Sequence, residues 1–111
     1  MVQIALIKGD GLGASVIEAT VAVVEYALAR VGAPVPVIRE IKAGAAYFAE
    51  TGADIEPGCE KAAGEADAIF LGAIGLPSVR HADGTEISPH LRLRDRYQLY
   101  AGVRPVRAYP N

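Results

Sequence analysis

Two short runs, Leu91-Arg92-Leu93-Arg94-Asp95-Arg96 and Gly102-Val103-Arg104-Pro105-Val106-Arg107, carry the side chains best suited to chemistry. Residues 76–111 hold six Arg, no Lys and three acids, whereas residues 1–75 hold five basic residues against ten acids. Arginine presents a rigid fork of donors that matches a carboxylate or a phosphate, so its concentration here points to a site for a compact anion. The competing reading is a solvated charged face. On a helix Arg92 and Arg96 are neighbours on one side while Arg94 points elsewhere, so only part of the cluster lines a single pocket.

A second feature is Lys8-Gly9-Asp10-Gly11-Leu12-Gly13-Ala14, which fits the GxGxxG/A spacing after an apolar strand and before a helix. Against a pyrophosphate cradle stand Asp10, whose carboxylate would face the phosphates, and Glu40, which lies nearer 30 than 20 residues further on. Three readings stay open at this point: a true cradle, a turn whose glycines serve local geometry, and a ligand edge of another kind. The remaining candidates stand alone. Cys59, the single cysteine, can form no internal disulfide and reads as a small helix-packing residue. His81 reads as a loop histidine and His90 as a first-turn one.

The elements that must position these groups alternate between strand and helix. Ile4–Ile7 is a short apolar strand. A helix follows, for which Ser15 and Glu18 make a capping box and Ile17, Val21, Val24, Leu28 and Val31 recur at helical intervals up to Gly32 and Pro34. Val35–Glu40 reads as an edge strand, because Pro36 has no N–H for a ladder. Short helices are predicted from Gly44 to Glu50 and from Pro57 to about Glu65. Ala68–Ala73 is uniformly apolar, as in a strand buried on both faces of a parallel sheet. Its carboxyl end, Gly72-Ala73-Ile74-Gly75, falls where open α/β sheets place ligands. After a polar loop with an Asp83-Gly84 turn, Ser88-Pro89 starts a helix in which Leu93, Tyr97 and Tyr100 share a face and which Gly102 ends. Val103–Ala108 reads as a final strand.

Composition limits the function classes. With 51% hydrophobic and 22% charged residues, the 111 residues read as one α/β unit with a real core. A formal net charge of −2 gives no general attraction for polyanions, so nucleic acid is not the expected partner. No apolar run reads as a membrane span and the N-terminus lacks the basic flank of a signal peptide, so no membrane partner and a cytoplasmic setting are expected.

Three blocks taken together resemble the β-decarboxylating dehydrogenases of the isocitrate, homoisocitrate, 3-isopropylmalate and tartrate/malate group. They are Ile7-Lys8-Gly9-Asp10-Gly11-Leu12-Gly13, then Ala66-Asp67-Ala68-Ile69-Phe70-Leu71-Gly72-Ala73-Ile74-Gly75-Leu76-Pro77, then Leu93-Arg94 followed by Leu99-Tyr100-Ala101-Gly102-Val103-Arg104-Pro105-Val106. They stand in family order and at family spacing across essentially the whole chain. The resemblance implies an incomplete, non-Rossmann, three-layer α/β/α fold. Residues 1–111 would be the N-terminal portion, mostly the first, cofactor-side domain, with 103–111 leading toward a second domain.

The same resemblance implies an activity: NAD- or NADP-dependent oxidation of a 2-hydroxy diacid, with decarboxylation assisted by Mg or Mn. Arg94 and Arg104 would hold the substrate carboxylates and His90 would read the variable substituent. Leu12, Ala73, Ile74, Gly75 and Glu86 would border the cofactor. The catalytic Tyr and Lys and the Asp metal ligands would fall outside this chain, which alone would be inactive. Leu91 matches the isopropylmalate pattern, whereas Ser88 and His90 are polar and favour a tartrate- or malate-like substrate. A homo-oligomer such as a dimer, or association with the remaining C-terminal portion, is the implied assembly. The alternative is a non-catalytic anion- or nucleotide-binding module, or a structural subunit that completes another chain.

Overall fold

The computed structural model describes residues 1–110. Three parallel strands form one sheet in the order β2-β1-β3: β1 is Gln3–Ile7, β2 is Val37–Glu40 and β3 is Ala68–Leu71. The register sets Ile4 beside Ile38 and Ala68, and Leu6 beside Glu40 and Phe70. Each parallel step requires a crossover. Helix α1 (Leu12–Val31) makes the first; helices α2 (Ala45–Thr51) and α3 (Cys59–Glu65) lie in the second, and α4 (Pro89–Arg96) follows β3.

The period-two alternation of β1 sorts the sheet faces. Ala5 and Ile7 point into the main core with Ile41, Ala43, Ile55, Cys59, Ala63 and Leu93, so α3 and α4 cover this side. Ile4, Ile38 and Phe70 face the other way, toward Val21 and Val24 of α1. Helix, sheet and helix thus make the expected three layers. Pro36 lies just outside β2, which is an edge strand as its sequence required.

Four local expectations fail, each for a definable reason. Ser15 lies inside α1 and donates its hydroxyl to the Leu12 carbonyl at 3.0 Å. The N-cap is Gly11, with no side-chain cap, because the glycine turn delivers the chain directly into the helix; Glu18 instead approaches Lys8 at 3.7 Å. β3 is a half-exposed edge of the sheet, and the buried centre is β1. Helix α4 stops at Arg96, not Gly102: Tyr97 is its C-cap and Gln98 takes a left-handed φ of 48°. Tyr100 is consequently fully exposed, and residues 99–110 are an exposed segment with no strand at 103–108. This sheet offers that segment no pairing, so its β propensity has no partner to act on.

α1 also corrects the membrane reading in one respect. It is 20 residues long and holds an 18-residue stretch of mean hydropathy 1.5, long and apolar enough by length and composition to cross a membrane. One side nevertheless carries Gly13 and Ile17 into the protein against the sheet, as a layer-covering helix does.

Candidate functional site

The glycine turn after β1 and the segment after β3 lie against each other with no space between their backbones. A Cβ at Gly9 would stand 2.0 Å from the Ala73 carbonyl oxygen, and one at Gly72 would stand 2.1 Å from the Lys8 oxygen. Gly9 and Gly72 therefore serve backbone contact between two loops of the same chain, and Gly13 meets the same backbone at Lys8 and Ala73, whereas Gly11 has no such contact and is set by its left-handed φ of 55°.

Asp10 sits at the middle of this junction and is 4% exposed. Its Oδ2 accepts the N–H of Gly75 and the N–H of Ala45, each at 2.8 Å, and its Oδ1 accepts the N–H of Ala46 at 2.9 Å. Its own N–H donates to the Ala73 carbonyl at 2.7 Å. A buried carboxylate is tolerated because three donors surround it, two of them the otherwise unpaired first amides of α2. Its sequence neighbours gave no sign of this, since all three donors come from segments at least 35 residues away.

Beyond Asp10 the chain opens into a cleft of about 230 Å³ lined by Ile74, Gly75, Leu76, Val79, Glu86 and Ile87 among others. Three of the sequence-derived cofactor residues, Ile74, Gly75 and Glu86, thus share one concavity. Ala73 precedes it and is engaged by Asp10. Leu12 opens α1 and is 81% exposed; its neighbour Gly11 has its Cβ position 4.0 Å from the Leu76 side chain, so the glycine turn borders the same cleft. Glu86 pairs with Arg80 at 3.2 Å, and Arg80 also donates to the Gly84 carbonyl at 3.2 Å. A bridge between Arg80 and Glu86, with the Asp83 carboxylate accepting from Thr85, closes the hairpin that carries Glu86.

Helix α4 carries the other candidates. Pro89 is its first residue, after Ser88, and buried Leu93 anchors it to the core. Arg92 lies over Asp54 and Glu60, and Arg96 reaches the second oxygen of Glu60 at 3.0 Å. Partial burial works against the Arg92 charge, but the hydrogen bonds and charges of Asp54 and Glu60 outweigh it and hold its pKa above the usual value. Arg92 and Arg96 therefore bind this helix to α3 and to the segment before it. Tyr97 completes the seam by donating its hydroxyl to the Glu60 carbonyl at 2.6 Å. The acids are found only in three dimensions, since 32 to 38 residues separate them from the arginines.

Arg94, on the other side of the helix, is exposed and forms no ion pair among the described residues. One turn earlier His90 is half-buried, and its Nδ1 is buried without a hydrogen-bond partner. Desolvation, and secondarily the Arg94 charge, lower its pKa below the ordinary imidazole value. Arg104 lies in the exposed segment after α4, where no strand returns it toward Arg94. Among the described residues no group of three His, Cys, Asp or Glu side chains converges as metal ligands would.

Comparison with known proteins places this geometry. Residues 3–111 match the isocitrate/isopropylmalate dehydrogenase family. The 3-isopropylmalate dehydrogenase of Thiobacillus denitrificans is 37% identical over 111 residues, covering 97% of this chain and 31% of that protein. 3-Isopropylmalate dehydrogenase 1 of Bradyrhizobium diazoefficiens is 34% identical over 116 residues, covering 98% of this chain and 29% of that protein. A solved apo structure of a β-decarboxylating dehydrogenase from Thermococcus kodakarensis superposes with a TM-score of 0.68 at 29% identity, covering 90% of this chain and 28% of its own. The chain thus spans about 30% of the length of the relatives it matches.

Proposed function

The chain belongs to the isocitrate/isopropylmalate dehydrogenase family, and we propose that it forms the N-terminal, cofactor-side part of an enzyme that oxidises and decarboxylates a 2-hydroxy diacid in the cytoplasm. The observation that carries this reading is the shared cleft of Ile74, Gly75 and Glu86 beside the Gly9-Asp10-Gly11 turn. A concavity with apolar walls and one carboxylate suits the ribose and nicotinamide end of a dinucleotide, because the carboxylate accepts from ribose hydroxyls while the walls exclude water. NAD or NADP, when bound, supplies the hydride acceptor for C2 of the substrate.

The side chains of this chain bind and orient. Arg94 is free to meet a substrate carboxylate because its neighbours Arg92 and Arg96 are occupied by Asp54 and Glu60. His90, half-buried one turn away and held toward its neutral form, sets a polar ring where an apolar side chain would suit isopropylmalate, which favours a tartrate- or malate-like diacid. Arg104 would reach the second carboxylate once the exposed segment 99–110 is drawn in. The divalent cation, Mg or Mn, which polarises the ketone after oxidation, would take its ligands from outside this chain. Exposed apolar residues on α1, including Leu12, Val16, Val23 and Tyr26, favour association, either with a second copy or with the rest of the enzyme.

The test is steady-state reduction of NAD and NADP by the full-length protein, with 3-isopropylmalate, malate and tartrate offered in turn, Mg²⁺ or Mn²⁺ present, and CO2 release measured in parallel. Reduction coupled to CO2 release by one of the diacids supports the reading. No reduction of either dinucleotide by any of them overturns it.

A further inference from the structure

We infer that Asp10 is a positioning residue of the dinucleotide cleft, acting through a two-ended grip on the segment Ala73–Gly75; the inference rests on the cofactor reading of that cleft. The sheet itself does little for this segment. Its last backbone bond to β1 is from the Gly72 N–H to the Ile7 carbonyl at 2.7 Å, after which residues 73–75 have left the ladder. Asp10 then grips both ends of what remains. Its amide donates to the carbonyl of Ala73 and its carboxylate accepts the amide of Gly75, so Ile74 is bracketed by two bonds from one residue.

The grip is rigid because Asp10 cannot move. The bonds from Ala45 and Ala46 hold the carboxylate from the side of α2, and the backbone of Gly44 closes over it: a Cβ there would lie 2.7 Å from Oδ1. The walls of the cleft at Ile74 and Gly75 are therefore set by α2, which lies in a different crossover from either loop. An asparagine of the same shape has one acceptor oxygen and one amino group, and three N–H donors face it. One amide orientation keeps the bonds from Ala45 and Gly75 but sets a donor against Ala46 and so loosens the hold from α2; the other sets donors against Ala45 and Gly75; neither keeps all three native bonds. Loss of charge also weakens whichever bonds survive.

The experiment uses the full-length protein and its Asp10→Asn variant, with NAD(H) binding followed by fluorescence titration and both KM values measured. The expected result is a dinucleotide dissociation constant raised about tenfold, as a displacement of under an ångström in a positioning wall produces, with the KM for the hydroxy diacid within about twofold. A residue that only holds the fold together would lower the active fraction and leave both constants alone. Amide hydrogen exchange of the unaltered protein keeps the inference testable if the variant does not fold: without dinucleotide, the Gly75 N–H should be protected like that of Gly72. Binding that Asp10→Asn leaves within twofold, or a Gly75 amide that exchanges as freely as an open loop, overturns the grip alone. Failure of the unaltered protein to bind either dinucleotide overturns the cleft reading and this inference with it.

Discussion

Arg92 sets its two terminal nitrogens on the two oxygens of Asp54, at 2.8 and 3.0 Å, and this pairing fixes which side of α4 faces away from α3. Two residues further along the helix Arg94 is turned from the seam by geometry, since 3.6 residues make a turn. A double-mutant cycle with Arg92→Ala and Asp54→Ala should give a coupling of about 1 kcal/mol in chemical denaturation, near the upper end for a partly exposed pair because the contact is bidentate. A coupling indistinguishable from zero would show that the Asp54 pairing adds nothing to the docking of the helix.

The other half of that docking is steric. A Cβ at Gly64 would stand 2.2 Å from Cζ of the Tyr97 ring, so the ring of α4 lies directly on the backbone of α3. Gly64→Ala should destabilise the protein by about 1–3 kcal/mol, the usual cost of forcing a methyl into filled space, even though alanine is the better helix former. Paired with Tyr97→Ala the loss should shrink relative to the sum of the single changes, because the second truncation vacates the space. Melting curves of the three variants decide it, and strictly additive losses would refute the contact.

The layer order was legible because short apolar strands alternate with helical stretches and the glycine turn, Gly32 and Gly52 punctuate the chain where helices begin or end. The cleft was legible in part, since a segment following a strand of a parallel sheet has a fixed place. What escaped was everything carried by distant side chains. Helical spacing sets Arg92 and Arg96 apart from Arg94, but only the position of Glu60 on α3 shows that the two on that side are structural. Asp10 looked like an obstacle to phosphate binding; its partners are three backbone amides, which leave no mark on residue type. The end of α4 is hidden in the sequence because Tyr97 and Tyr100 continue a helical period, yet Tyr97 is spent on α3 and the chain leaves the helix at Gln98.

His90 makes stability depend on pH in a definite direction. Its pKa is lowered in the folded protein by desolvation and then by Arg94, so the folded state resists a proton that the unfolded chain accepts. As pH falls through the ordinary imidazole value of about 6.5 toward the lower folded value, the unfolded chain binds more protons and stability drops. Above that window the contribution is fully present. Thermal melting at pH 7.5 and pH 5.5 should show a larger loss in the unaltered protein than in His90→Gln, which cannot titrate. The same loss in both proteins would assign the acid sensitivity to other groups.

The arginines of the C-terminal third should separate sharply in kinetics. Arg94 is exposed and free of carboxylates, whereas Arg92 is committed to Asp54 and Glu60; Arg104 lies on the segment that would have to close over the substrate. In the full-length enzyme Arg94→Lys or Arg104→Lys should lower kcat/KM for the hydroxy diacid by about 10² or more, because lysine keeps the charge but loses the fork that orients C2 for hydride transfer. Arg92→Lys should cost less than about tenfold in kcat/KM and be felt in the melting temperature, since its bidentate contact is structural. Steady-state kinetics of the three variants, with dinucleotide and metal saturating, are the measurement. Small and equal losses at all three positions would reduce the arginine-rich end to a charged surface, while a large loss at Arg94 alone would confine the clamp to α4 and leave segment 99–110 without a part in it.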